Sequence, residues 1–135
     1  MRKTGQPEKT PTHARYDVVI IGGAIMGSSA AWFLTDNADF DGTVLVVERD
    51  PTYRTASTSH TNSCMRQQFS TELNVRISQF AADFVKNFRS YMGNDDRVTD
   101  LSIHSFGYMY LADTDGFADV LRTNQKVQLA AGAAT

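Results

Sequence analysis

The sequence contains one cysteine, Cys64, which excludes an intrachain disulfide and a CxxC metal site. A reducing setting is therefore the default, with the cytoplasm as the expected location. No apolar run approaches the roughly 20 residues that a transmembrane helix needs. Neither charge sign dominates: thirteen basic and fifteen acidic residues leave a net charge of −2, without the basic field of a nucleic-acid binder. The opening MRKTGQPEKTPTHAR has no apolar block, which excludes a secretory signal and predicts a disordered leader over residues 1–15. Its basic residues, with Glu8 as the lone acid, keep mitochondrial targeting as the alternative. What remains is ordinary for a soluble globular domain of 135 residues, 41% hydrophobic and 21% charged.

Order is expected from Tyr16. Residues Tyr16–Ile21 are short, β-branched and apolar without alternation, as in a parallel strand covered on both faces. Gly22–Gly27 interrupts it, Ser28–Leu34 reads as a helix, and Thr43–Glu48 as a second buried strand. From Arg49 to Ser70 polar residues without periodicity predict a long loop, of a length that is usually functional or disordered. Leu73, Ile77, Phe80, Ala81, Phe84, Phe88 and Tyr91 recur every three or four positions. They predict one helix with this stripe packed in the core, capping chemistry at Ser70–Glu72 and a stop at Gly93–Asn94. Alternation of Phe106, Tyr108 and Tyr110 predicts a strand over Ile103–Leu111, and a final helix is expected around Phe117–Gln128. The order β-α-β, loop, α, β, α describes an α/β fold whose first two strands are parallel neighbours. So few strands cannot cover two apolar faces, and the chain is expected to be a truncated piece with exposed sheet edges, prone to aggregate.

Gly22, Ala24 and Gly27 occupy the three glycine places of a GxGxxG pattern, between a buried strand and a helix. Gly22 allows the tight turn, Gly27 allows the helix to approach the strand, and the helix start directs N–H groups at a pyrophosphate. Gly23, Ile25 and Met26 complete that turn. Glu48, ending the second strand, stands where an acid accepts hydrogen bonds from ribose hydroxyls. Ala24 departs from the pattern at the place of closest backbone approach, an intrusion that Gly23 partly relieves. The plain alternative is a glycine-rich turn in a doubly wound protein that binds no dinucleotide.

The segments YDVVIIGGAIMGSSAA, VLVVERD and Ala56-Ser57-Thr58-Ser59 resemble the D-amino-acid oxidase and sarcosine oxidase superfamily of FAD-dependent oxidoreductases. Arg66-Gln-Gln-Phe-Ser-Thr, with Asn74 and Ile77-Ser78-Gln79-Phe80, resembles more narrowly the branch of FAD-dependent oxidoreductase-domain proteins. The resemblance implies a Rossmann-like βαβ FAD-binding domain, incomplete here, over residues 16–101, and the start of a mixed α+β substrate domain over 102–135. It implies that Gly22, Gly23, Ala24, Ile25, Met26 and Gly27 cradle the pyrophosphate and that Glu48 holds the ribose. Arg49 would lie beside the adenine, with Ser57, Thr58 and Ser59 along the pyrophosphate and ribityl chain. The implied partner is a small amine or amino acid, oxidised at its C–N bond by hydride transfer to FAD. The family is considerably longer than this chain, and its remaining sequence supplies most substrate contacts, so the isolated chain is expected to bind FAD poorly.

Single residues carry two readings each. His60 falls near the histidine that holds flavin covalently in dimethylglycine dehydrogenase-like relatives; the plain reading is a loop histidine satisfied by backbone. Arg66 suits a substrate carboxylate or reduced flavin, and equally a structural ion pair. Cys64 suits a place near the isoalloxazine ring, its plain reading being a small buried thiol, and Arg76, Lys86 and Arg89 read as the solvated face of their helix. The sequence does not identify a catalytic base, and no metal site is expected. Two rival functions remain: an NAD-binding dehydrogenase, which leaves the Ser/Thr-rich loop unexplained, and a non-catalytic assembly protein or truncated inactive product.

Overall fold

A computed structural model describes residues 10–135, which form two compact units divided in the chain between Asn62 and Ser63. Residues 1–9 of the expected leader lie outside the described residues. Its end is tied down: the N–H groups of Thr12 and His13 donate to the Tyr16 hydroxyl at 3.0 and 3.1 Å.

The first unit is a βαβ element. Strand β1 (Val18–Ile21) pairs in parallel with β2 (Val44–Val47), in the register Val18 with Val44 through Ile21 with Val47. Helix α1 (Ile25–Asp36) connects them, starting three residues earlier than the sequence predicts because Ile25, Met26 and Gly27 already form its first turn. At the other end of the strands the Asp17 carboxylate accepts from the Thr43 N–H (2.7 Å) and hydroxyl (2.8 Å). That pair holds the Asp17 carboxyl below its ordinary value and pins the register where β2 begins. The strands are as apolar as expected, yet Ile21 is 89% and Val19 54% exposed: among the described residues the sheet has two strands and incomplete cover.

The second unit is helical. Helix α2 (Glu72–Lys86) is followed by a short α3 (Phe88–Tyr91), and α4 (Asp115–Ala130) closes the chain. The predicted single helix is thus broken at Asn87, whose backbone leaves helical geometry while its amide donates to Asp83. Capping differs as well: Thr71 precedes α2 without a side-chain capping bond. By contrast, Gly93 ends α3 in left-handed backbone, with the Asn94 and Gly93 N–H groups closing on Arg89 and Ser90 carbonyls. The same arrangement ends α4 at Gly132, where Ala133 and Gly132 close on Gln128 and Leu129.

The core of this unit corrects the expected stripe. Val75 is fully buried against Ala131 and Ala133, with Phe69 packed beside them. Leu73, Ile77 and Phe80 face outward, whereas Phe84, Phe88 and Tyr91 are half-buried in a ladder of aromatic contacts along α2 and α3. The helix packs on α4 through the Val75 side, because two long polar residues there find main-chain partners. Gln128 Nε2 donates to the Phe69 carbonyl and Gln79 Nε2 to the Ala131 carbonyl. The predicted strand Ile103–Leu111 is absent; no strand among the described residues stands beside it, and an isolated extended segment has no ladder to join. No helix among the described residues is long and apolar enough to cross a membrane.

Candidate dinucleotide site

The site lies in the first unit, at the carboxyl ends of β1 and β2. The Gly22 N–H still belongs to the strand pair, donating to the Val47 carbonyl at 2.8 Å. Its own φ of +97° then turns the chain, a conformation that a side chain would strain. A Cβ on Gly22 would meet nothing within 4 Å, so open space lies over the turn. Gly27 is the opposite case: a Cβ there would stand 1.8 Å from the Gly22 carbonyl oxygen. The helix can start this close to the strand only because that atom is missing. Gly23 is buried, and its absent side chain faces the Tyr53 hydroxyl, Glu48 and Val46.

The start of α1 has no cap of its own. Ala24 is the N-cap residue, its side chain cannot accept a hydrogen bond, and no acid occupies the first turn. First-turn N–H groups have no acceptor within a helix, so they favour an anion. One of them, from Ile25, meets the Thr58 hydroxyl at 3.3 Å. That contact brings the Ser/Thr segment, a single 3-10 turn over Ser57–His60, to the helix start.

Glu48 is half-buried beside the same turn. Its Oε2 accepts the Gly23 N–H at 2.7 Å and its Oε1 accepts the Asp50 N–H at 2.8 Å. The Asp50 N–H, then that of Gly23, hold the carboxyl below the ordinary glutamate value, against a smaller opposing effect of burial. Each oxygen keeps acceptor capacity, since a carboxylate offers about four lone-pair sites.

The remaining predicted residues are placed as follows. Arg49 and Met26 are exposed. The Ser59 hydroxyl donates to the Tyr53 carbonyl at 2.7 Å, and His60 Nε2 lies 2.7 Å from the Arg54 carbonyl oxygen. Arg66 belongs to the second unit, where its guanidinium lies 5.2 Å over the Phe69 ring; among the described residues it forms no ion pair. Cys64 is exposed, not buried, and interacts with the Tyr108 hydroxyl, whose pKa it raises. Arg89 is tied to Asp96 and Asp100 rather than free on a solvated face. Sequence reasoning missed Tyr53 and Asp50; the Asp-Pro-Thr-Tyr turn at 50–53, where Thr52 folds back on Asp50, was the available signal.

A parallel βαβ unit with a glycine turn, an uncapped helix start and an acid closing the second strand defines a dinucleotide-binding element of the Rossmann class. The residues fit FAD: open space over Gly22 for a pyrophosphate, amides and hydroxyls beside it, and a carboxylate for ribose hydroxyls. The family described as FAD dependent oxidoreductase, DAO, matches residues 17–135, and the chain belongs to it. The chain is 42% identical over 123 residues to FAD-dependent oxidoreductase domain-containing protein 1 of Xenopus laevis, covering 88% of this chain and 24% of that protein. It is 43% identical over 122 residues to the Bos taurus protein of the same name, covering 88% and 25%. The Drosophila melanogaster homolog is 35% identical over 119 residues, covering 88% and 22%. The chain therefore spans about a quarter of the length of the curated relatives it matches. No solved structure matches it significantly.

Proposed function

We propose that the protein is a flavoenzyme that oxidises the C–N bond of a small amine or amino acid, with this chain forming the nucleotide-holding part of the FAD site. The observation that carries the reading is one convergence. The Gly23 N–H rests on the Glu48 carboxylate while the Ile25 N–H rests on the Thr58 hydroxyl, so acid, glycine turn and Ser/Thr segment share one place. The N–H groups of Ile25, Met26 and Gly27 bind the pyrophosphate, helped by the positive end of α1. The Ser57, Thr58 and Ser59 hydroxyls line its path, Glu48 accepts the ribose hydroxyls, and Arg49 flanks the adenine. Bound there, FAD would supply the two-electron acceptor for a hydride equivalent from the carbon next to the substrate nitrogen. Arg66 supplies a planar cation suited to a carboxylate, with its guanidinium carbon 5.2 Å from the centre of the Phe69 ring.

The family match favours flavin over nicotinamide. The test uses the protein expressed from its whole reading frame. Its denatured extract should contain FAD and no nicotinamide, and anaerobic addition of primary or secondary amino acids should bleach the flavin absorbance. FAD that no amine bleaches would reject the substrate class; an extract without FAD would reject the reading itself.

A further inference from the structure

Tyr53 occupies a place that neither the glycine turn nor the Ser/Thr segment accounts for. Its backbone is left-handed, with φ of 56°. A bulky residue takes that conformation only where its surroundings impose it, and such positions gather at ligand clamps. Two sets of contacts impose it here. Along the main chain, the Tyr53 N–H donates to the Asp50 carbonyl at 2.9 Å and its carbonyl accepts from the Ala56 N–H at 3.0 Å. The same carbonyl accepts the Ser59 hydroxyl at 2.7 Å. Through its side chain, the half-buried residue reaches back to the glycine turn, where its hydroxyl lies 3.1 Å from the position a Cβ on Gly23 would take. Gly23 is the residue whose N–H rests on Glu48.

Tyr53 therefore touches both walls of the cleft. Its hydroxyl stands against the glycine turn, and its carbonyl holds the 3-10 turn that presents Thr58 to the start of α1. The missing side chain of Gly23 makes room for the hydroxyl at the tip of this ring. We propose that Tyr53 is a positioning residue for FAD: the ring spaces the Ser57–His60 turn from the glycine turn, and the carbonyl clamps it there, so that the pyrophosphate meets a cleft already formed. The left-handed backbone is the geometry that lets one residue do both. This rests on the FAD reading above, because a spacer has no purpose without a ligand between the walls.

The experiment measures FAD affinity and apo-protein stability side by side, in protein from the whole reading frame. Tyr53→Asn keeps the carbonyl and tolerates left-handed backbone, but removes the ring. Its Kd for FAD should rise about tenfold while the apo unfolding midpoint stays near that of the unsubstituted protein. Tyr53→Phe keeps the ring and loses only the hydroxyl at its tip, so it should bind FAD within about threefold of the unsubstituted protein. A purely structural role would lower apo stability instead, and Tyr53→Asn with unchanged affinity would overturn the proposal. A second check holds if the asparagine variant does not fold. Gly23→Ala puts a methyl group against the Tyr53 hydroxyl, so adding Tyr53→Phe should recover part of the lost affinity; no recovery refutes the spacer. Failure of the unsubstituted protein to bind FAD would sink the functional reading as a whole. Binding that ignores residue 53 sinks only the role of Tyr53.

Discussion

Replacing Gly27 with alanine tests the close approach on which the site depends. The added Cβ would lie 1.8 Å from the Gly22 carbonyl oxygen, 2.9 Å from its carbon and 3.1 Å from Ile20 Cγ2. The first two are backbone atoms, so no side-chain rotation relieves the clash, and α1 must retreat from β1 by more than an ångström. Overpacking of this kind costs typically about 1–3 kcal/mol, and a rigid backbone partner puts Gly27 at the upper end. Alanine returns roughly 1 kcal/mol through helix propensity, leaving a net loss of about 2 kcal/mol. Retreat of the helix also carries the Ile25 N–H away from Thr58, so FAD should be lost together with stability. Gly22→Ala separates the two effects. Its Cβ would meet nothing, and the cost is conformational, about 1–2 kcal/mol for a side chain in left-handed backbone. Its methyl group intrudes on the space over the turn, so FAD should be lost out of proportion to stability. Chemical denaturation of the apo-proteins and flavin content after gel filtration measure both quantities. A Gly27→Ala protein with unchanged stability and full flavin would refute the packing argument.

Glu48→Gln keeps the shape but removes the charge on which the Gly23 and Asp50 N–H groups rest, and on the proposed reading it should weaken FAD binding roughly tenfold in a titration of apo-protein. Because the Glu48 pKa is depressed on folding, its contribution is complete above the ordinary glutamate range and disappears as pH falls through the lowered value. FAD affinity should therefore be flat near neutrality and fall only in acid below that range, with the Glu48→Gln protein lacking this limb. Thr114→Ala removes the hydroxyl that accepts the Phe117 N–H at 3.3 Å and should cost about 1 kcal/mol of stability, with flavin content unchanged. His60→Ala should leave the flavin as releasable by denaturation as before, since His60 Nε2 is engaged by the Arg54 carbonyl; a flavin that stays with the denatured native protein but not with the variant would show a covalent link.

The elements around the glycine turn were legible because their physics is local. An apolar run, a glycine where φ must be positive and an acid at the end of the next strand are each marked by a few consecutive residues, although Glu48 meets the Gly23 N–H from the far side of α1 in the chain. The second unit was less legible for the opposite reason. Periodicity identified α2 but misassigned its buried side, because Leu73, Ile77 and Phe80 form the more apolar face while Val75 and Gln79 meet α4. Hydrophobicity shows which face avoids water, not which neighbour arrives to cover it. The alternation in Ile103–Leu111 failed as a strand for the same reason: a strand is defined by its partner, and none stands beside that segment among the described residues. Tyr53 was missed because its left-handed backbone follows from contacts with Ser59 and Gly23, six positions forward and thirty back.

The arrangement around Gly23 also explains how a helix that begins with alanine remains suited to an anion. A serine or aspartate at position 24 would satisfy the start of α1 from within, at the cost of the place a phosphate takes. Ala24 leaves that place open, and among the described residues the one hydroxyl shown accepting a first-turn N–H is that of Thr58, at a long 3.3 Å. Glu48 is treated differently, with one backbone N–H on each oxygen. Those two bonds fix its rotamer before any ligand arrives, and they leave the outer lone pairs for two neighbouring hydroxyls. In the proposed site the two ends are thus prepared in opposite ways: the helix start by leaving donors weakly satisfied, the Glu48 end by locking an acceptor in place. A ligand with phosphate at one end and a vicinal diol at the other answers both.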